Sequence, residues 1–229
     1  MVDPESSDEI YSSQLFQSTL LSWGINNIQV FPWRYIDDPY KILTSEFMLQ
    51  RTNAYQVIPI YEKFVSVFPS LLEFSHANHE YIHQILYPLG LVWRIENMES
   101  TLIKIAEEFG YIPLNYSELA SFHGIGQYIA GATICFSLNK PFVLIDANVV
   151  RVVGRVFGLD LRGEARRRKS MVAKVASLVE KTSPRDYYYS IIDLSHILCK
   201  PQNPLCLFCP FHNINCVYYR TKWFFNKEK

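Results

Sequence analysis

Four cysteines near one end of the sequence, Cys199, Cys206, Cys209 and Cys216, follow the spacing C-x6-C-x2-C-x6-C. Thiolates this close repel one another, so in a reducing compartment they need a cation, either zinc or an iron–sulfur cube. Spacing alone leaves both open. A second group lies upstream, where Gly124-Ile125-Gly126 separates two segments of helical pattern. Two glycines one residue apart allow positive φ and present successive N–H groups at the next helix's N-terminus. Such a nest takes an anion, which on a nucleic-acid binder is a backbone phosphate; alone it suits a ligand-free corner between helices equally well. About twenty residues later Asp146 opens a predicted helix, where free backbone N–H groups favour its ionised form, a place an ordinary N-cap would also fill. Glu46 stands beside Phe47, Met48 and Leu49. Desolvation there would raise its pKa and suit it to proton transfer, the alternative being a glutamate on a helix surface.

The elements that must position these groups read as helices. Val172, Val175, Ala176 and Val179 recur at the spacing of one helix face. A segment from about Asp8 is expected to bury Phe16, Leu20 and Trp23 and to stop at Gly24. Pro39 opens another that runs through Ile42, Glu46, Leu49 and Thr52. Only Pro141-Phe142-Val143-Leu144-Ile145 reads as extended, and Gly and Pro fall mostly between helical segments. The fold class is all-α, with ten or so helices and short connections.

Of the 229 residues 49% are apolar and 19% charged, the composition of a folded chain. No apolar run approaches the roughly 18 residues of a membrane span, and the first five residues lack the basic start of a secretory signal. The expected setting is reducing, cytoplasmic and nucleoid-associated, or nuclear, where cysteines serve as ligands or buried thiols rather than disulfides. Net charge is zero, yet its distribution is uneven. Asp3, Glu5, Asp8 and Glu9 open the chain without a Lys or Arg. Between Arg151 and Arg185 ten Lys or Arg face three acids, an excess of seven. Such a run is ordinarily a solvated face and points at phosphate only with independent support.

That support comes from residue order. Gly124-Ile125-Gly126 followed by Leu144-Ile145-Asp146-Ala147-Asn148 resembles the helix-hairpin-helix DNA glycosylases. Phe31-Pro32-Trp33-Arg34, Pro39-Tyr40 and Ser45-Glu46-Phe47-Met48-Leu49-Gln50-Arg51-Thr52 are similar to the N-terminal signature of MutY adenine glycosylases and of G·T-mismatch thymine glycosylases. The blocks reach from residue 31 to about 216. The resemblance implies two all-α lobes with a DNA cleft between them: a six-helix domain with the hairpin, residues 31–136, and an iron–sulfur domain formed by 1–30 with 137–229. Asp146 and Tyr128 would face the cleft from opposite lobes. It also implies a [4Fe–4S] cluster on the four cysteines, although endonuclease III and MutY have five residues, not six, in the last gap, so the final turn must bulge. Cys135 is expected as a buried thiol outside the cluster.

By the same resemblance Asp146 stabilises an oxocarbenium-like sugar and acts on water, Asn148 positions that water, and Glu46 protonates the departing base or orders the water. Tyr128 occupies the position at which endonuclease III carries the lysine that forms a Schiff base; tyrosine cannot form one, which implies hydrolysis without strand cleavage. Gly124, Ile125, Gly126 and Gln127 would meet phosphate. His123 replaces the proline usual before the first hairpin glycine, losing a fixed φ and gaining a phosphate donor. Three features lean from adenine toward thymine or uracil opposite guanine: Arg51 before Thr52, Gly90-Leu91 at the wedge, and a chain that ends soon after Cys216. Arg51 and Leu91 would lie near the gap left by the flipped base. The implied partner is mismatched double-stranded DNA, with no membrane and a monomeric enzyme. The alternatives are a MutY-like adenine glycosylase without its C-terminal recognition domain, or a noncatalytic DNA-binding module.

Overall fold

The computed structural model describes residues 7–212, 214 and 216–226. In chain order the helices are α1 (Ser7–Gly24), α2 (Pro39–Met48), α3 (Ala54–Val67), α4 (Leu71–Ser75), α5 (His79–Leu86), α6 (Val92–Phe109), α7 (Tyr116–Ser121), α8 (Gln127–Leu138), α9 (Ala147–Phe157), α10 (Lys169–Ser177), α11 (Pro184–Ile197) and α12 (Val217–Asn226). Short 3-10 turns stand at Tyr87–Leu89, Ala165–Arg167 and Cys206–Phe208. No β-strand occurs among the described residues, so the class is all-α. The segment 141–145 is irregular: Leu144 N–H donates to the Tyr188 hydroxyl at 3.0 Å rather than to a neighbouring strand. Asp3 and Glu5 lie outside the described residues.

Two compact units divide the chain. One holds Val30–Phe142; the other joins the described residues up to Gln29 with those from Val143 onward. In the first, an aromatic core of Tyr40, Phe64, Phe68 and Phe74 gathers α2, α3 and α4, and α2 packs along α8. Asp38 caps α2 through Tyr40 N at 3.0 Å, and Pro39 follows at the first helical position, where its missing N–H costs nothing. The helix ends at Met48, short of the expected Thr52, because the chain turns there with Arg51 at φ 57°. Asn53 then caps α3 through Tyr55 N.

In the second unit α1 lies against α11, and α11 against α9. Phe16 stacks on Phe211 at 4.9 Å and meets Phe157 and Tyr187, which closes the core over Leu20, Val152 and Ile191. Gly24 permits this approach, since a Cβ there would sit 2.0 Å from Ser190 Oγ. Two expectations fail in detail. Trp23 is only half-buried, and α10 buries Met171 and Val175, with Leu178 buried just past its end, while Val172 and Ala176 face out. Both stripes have helical spacing and differ by one position. The one that wins carries the larger hydrocarbon side chains.

Candidate active site and cysteine loop

Asp146 is the N-cap of α9. Its Oδ1 accepts from Val149 N at 2.7 Å and its Oδ2 from Asn148 Nδ2 at 2.7 Å. Arg151, one turn on, donates from Nη2 to Asn148 Oδ1 at 3.0 Å. The carboxylate therefore ends a relay that runs Arg151, Asn148, Asp146. Burial raises its pKa above the ordinary aspartate value, and the bonds from Val149 and Asn148 with the nearby Arg151 charge only partly offset the rise. This corrects the expectation that capping would dominate: desolvation wins. Asn148, expected to position water, spends its amide on Asp146 and Arg151. Arg151 was missed as a member of this site, since in sequence it is one of ten cations in a basic run.

Glu46, Tyr128 and the hairpin belong to the other unit. Glu46 sits in the last turns of α2, 8% exposed beside Phe47 and Met48. Tyr128 is the second residue of α8, partly buried against the same core. The helices that carry them pack together. The turn before α8 is built differently from the two-glycine expectation. Gly124 takes φ +88°, and a Cβ there would also crowd Thr101 Oγ1 at 3.2 Å. Gly126 is extended at φ −78°, ψ 170°, with open space around it. Ile125 anchors the turn in the core, and the His123 carbonyl accepts from Thr101 Oγ1. No side chain caps α8, while Gly126, Gln127 and the His123 side chain are exposed. The N-terminal N–H groups thus face a surface that a phosphate could reach.

Arg51 and Leu91 do come together. Both line one open recess of about 600 Å³ with Gln56, Ile60 and Pro88. Both have left-handed backbone, at φ 57° and φ 55°, an uncommon state that costs a non-glycine residue about 1 kcal/mol or more. Arg94, a residue the sequence did not single out, holds both loops. Its buried guanidinium donates to the carbonyls of Met48 and Gln50 and to Thr52 Oγ1 on one side, and to the carbonyls of Leu89 and Gly90 on the other.

The four cysteines line a common recess with Val156, Leu198 and Phe211, and Cys135 is fully buried in α8 of the other unit. Burial pushes the Cys209 thiol up to about 12, and the charges of Cys199, Cys216 and Cys206 add to the rise. Four thiolates would be untenable here without a cation. Residues 213 and 215, in the longer last gap, lie outside the described residues. Arg155, 8% exposed, clamps the loop: Nη1 donates to the carbonyls of Cys199 and Lys200 and reaches Cys199 Sγ at 3.4 Å, Nη2 donates to Pro201 O, and the guanidinium lies over Tyr218. Arg151 Nε adds a bond to Cys199 O at 2.8 Å. Much of the basic run is thus spent internally. Arg162 and Arg168 pair with Asp160, and Arg166 and Arg167 with Glu164.

A family model described as HhH-GPD superfamily base excision DNA repair protein matches residues 44–179, and the chain belongs to that superfamily. Among its relatives is a thymine/uracil-DNA glycosylase of Pyrobaculum aerophilum, 31% identical over 203 residues, covering 83% of this chain and 85% of that protein. An adenine DNA glycosylase of Buchnera aphidicola is 31% identical over 91% of this chain and 60% of its own length. The solved structure of a thermostable thymine-DNA glycosylase superposes with a TM-score of 0.83 at 29% identity, over 92% of this chain and 98% of that one. The enzyme class is accordingly that of the DNA glycosylases.

Proposed function

We propose that this enzyme hydrolyses the N-glycosidic bond of a thymine or uracil mispaired with guanine and leaves an abasic site without cutting the strand. The observation that carries the chemistry is Asp146, held by Val149 N and Asn148 Nδ2 in a fixed orientation and desolvated. A preorganised carboxylate of this kind is what an oxocarbenium-like sugar requires. Glu46 supplies the proton for the departing base, and Tyr128 takes the place of an imine-forming amine, so no Schiff base can form there. The hairpin's uncapped N–H groups meet phosphate. Arg51 and Leu91, on one recess, act at the gap left by the flipped base. Thymine and uracil are favoured by the relatives matched over most of their own length.

The cysteine recess fits an iron–sulfur cluster. All four cysteines line it, and their thiolates, disfavoured by burial, need the positive charge of a metal centre. Cys199, Cys206, Cys209 and Cys216 would hold the cluster, whose contribution is to fold the loop; hydrolysis needs no electron transfer.

Single-turnover assays on G·T, G·U, A·G and A·8-oxoguanine duplexes, treated with alkali to reveal abasic sites, test the reading. Release from G·T and G·U alone is expected. Release of adenine would favour the second reading, which the Buchnera relative supports. Tight binding without release from any duplex would leave a DNA-binding module.

A further inference from the structure

A second metal-ligating group stands on the unit that carries the hairpin, far in sequence from the cysteines. His79 and His83 are four residues apart on α5, so they share a face, and their rings lie 4.1 Å apart. Glu99, in the middle of α6, is 9% exposed at its side chain and directs its carboxylate between them. His79 Nδ1 lies 2.8 Å from both carboxylate oxygens, and His83 Nε2 lies 2.9 Å from Oε2. One ligand atom from each residue falls within 4.8 Å of the other two.

We propose that His79, His83 and Glu99 bind a divalent first-row transition ion, with zinc as the best match. Two imidazoles and one carboxylate are a donor set this class accepts, and three protein ligands leave a position for water. Metal–ligand bonds of about 2.0–2.2 Å place tetrahedral ligands about 3.4 Å apart. The present contacts are about half an ångström shorter, so rotations of the two rings open the space. His79 is exposed, which gives the ion a route in and water a place to complete the shell. The ion would join α5 to α6 across the connection whose Pro88, Leu89 and Leu91 line the recess with Arg51. Its effect is to stiffen that hairpin, and the site stands whether or not the enzyme releases thymine.

Zinc titrated into the protein as purified, followed by calorimetry, tests this against the double variant His79→Ala/His83→Ala. The wild type should bind one equivalent that the double variant lacks, and zinc should raise the thermal midpoint of the wild type alone. Glu99→Gln should weaken the same equivalent at least tenfold. If that variant with its buried substitution fails to fold, His79→Ala, on an exposed ring, carries the comparison. Cobalt distinguishes this site from the cysteine loop, because thiolate ligation adds intense charge-transfer bands that imidazole and carboxylate do not. Equal zinc binding by wild type and double variant, or a cobalt spectrum carrying only thiolate bands, would overturn the proposal.

Discussion

Arg94 and Thr52 are joined by a hydrogen bond of 2.8 Å from Nη1 to Oγ1, and the same guanidinium donates to Leu89 O at 2.9 Å. One buried cation therefore fixes the loop that carries Arg51 to the loop that carries Leu91. Replacing it with Met should leave several acceptors unsatisfied and cost about 3 kcal/mol of stability. Arg94→Lys should recover part of this, because an ammonium cannot span both loops. Urea unfolding measures the loss. A change below about 0.5 kcal/mol for Arg94→Met, the size of an ordinary surface substitution, would refute the staple.

Asp146→Asn keeps a good N-cap and removes the charge. Turnover should fall on the order of 10³-fold with duplex affinity nearly unchanged. The same substitution should stabilise the protein at neutral pH. A carboxyl whose folded pKa is raised favours the protonated form, so its cost to the fold appears as pH rises through that value and is absent below the unfolded one. Thermal melts across pH would show the variant's advantage vanish in acid.

The acid limb of the pH–rate profile should therefore lie above the ordinary aspartate value of about 4. Asn148→Ala removes a bond that favours the ionised carboxylate and should move that limb to higher pH. An unmoved limb would show that Asp146 is not the group it reports.

The helical class, the hairpin and the Asp146 cap were all legible, because periodicity, glycine placement and capping chemistry are local properties of the chain. Arg94, Arg151 and Arg155 were not. Arg94 stands alone in an unremarkable helix, while the other two are indistinguishable in sequence from solvated cations. What sets them apart is carbonyls brought from 45 to 48 residues away in the chain. The buried stripe of α10 was misassigned by one position because two apolar sets met the same spacing. Gly124 and Gly126 looked equivalent, yet only the first must take positive φ, since Thr101 and Ile125 fix the turn around it.

Arg155 bonds the cysteine loop through three carbonyls, so its loss should act on the loop before it acts on catalysis. Arg155→Met should lower iron and sulfide content and the visible charge-transfer absorption while far-ultraviolet dichroism stays helical. Any of the four Cys→Ser variants should do the same more completely. Stoichiometric zinc in place of iron and sulfide in the protein as purified would refute the cluster.

Tyr128 offers the sharpest test of the reaction class. Tyr128→Lys places an amine at the second position of α8, where the uncapped helix start disfavours its protonation and assists its nucleophilicity. If that position meets the sugar, borohydride should trap a covalent adduct between the variant and G·U duplex, and strand cleavage should appear without alkali. The wild type should give neither. A wild-type adduct would sink the monofunctional reading, whereas an inert variant that still folds and binds duplex would place the sugar away from α8.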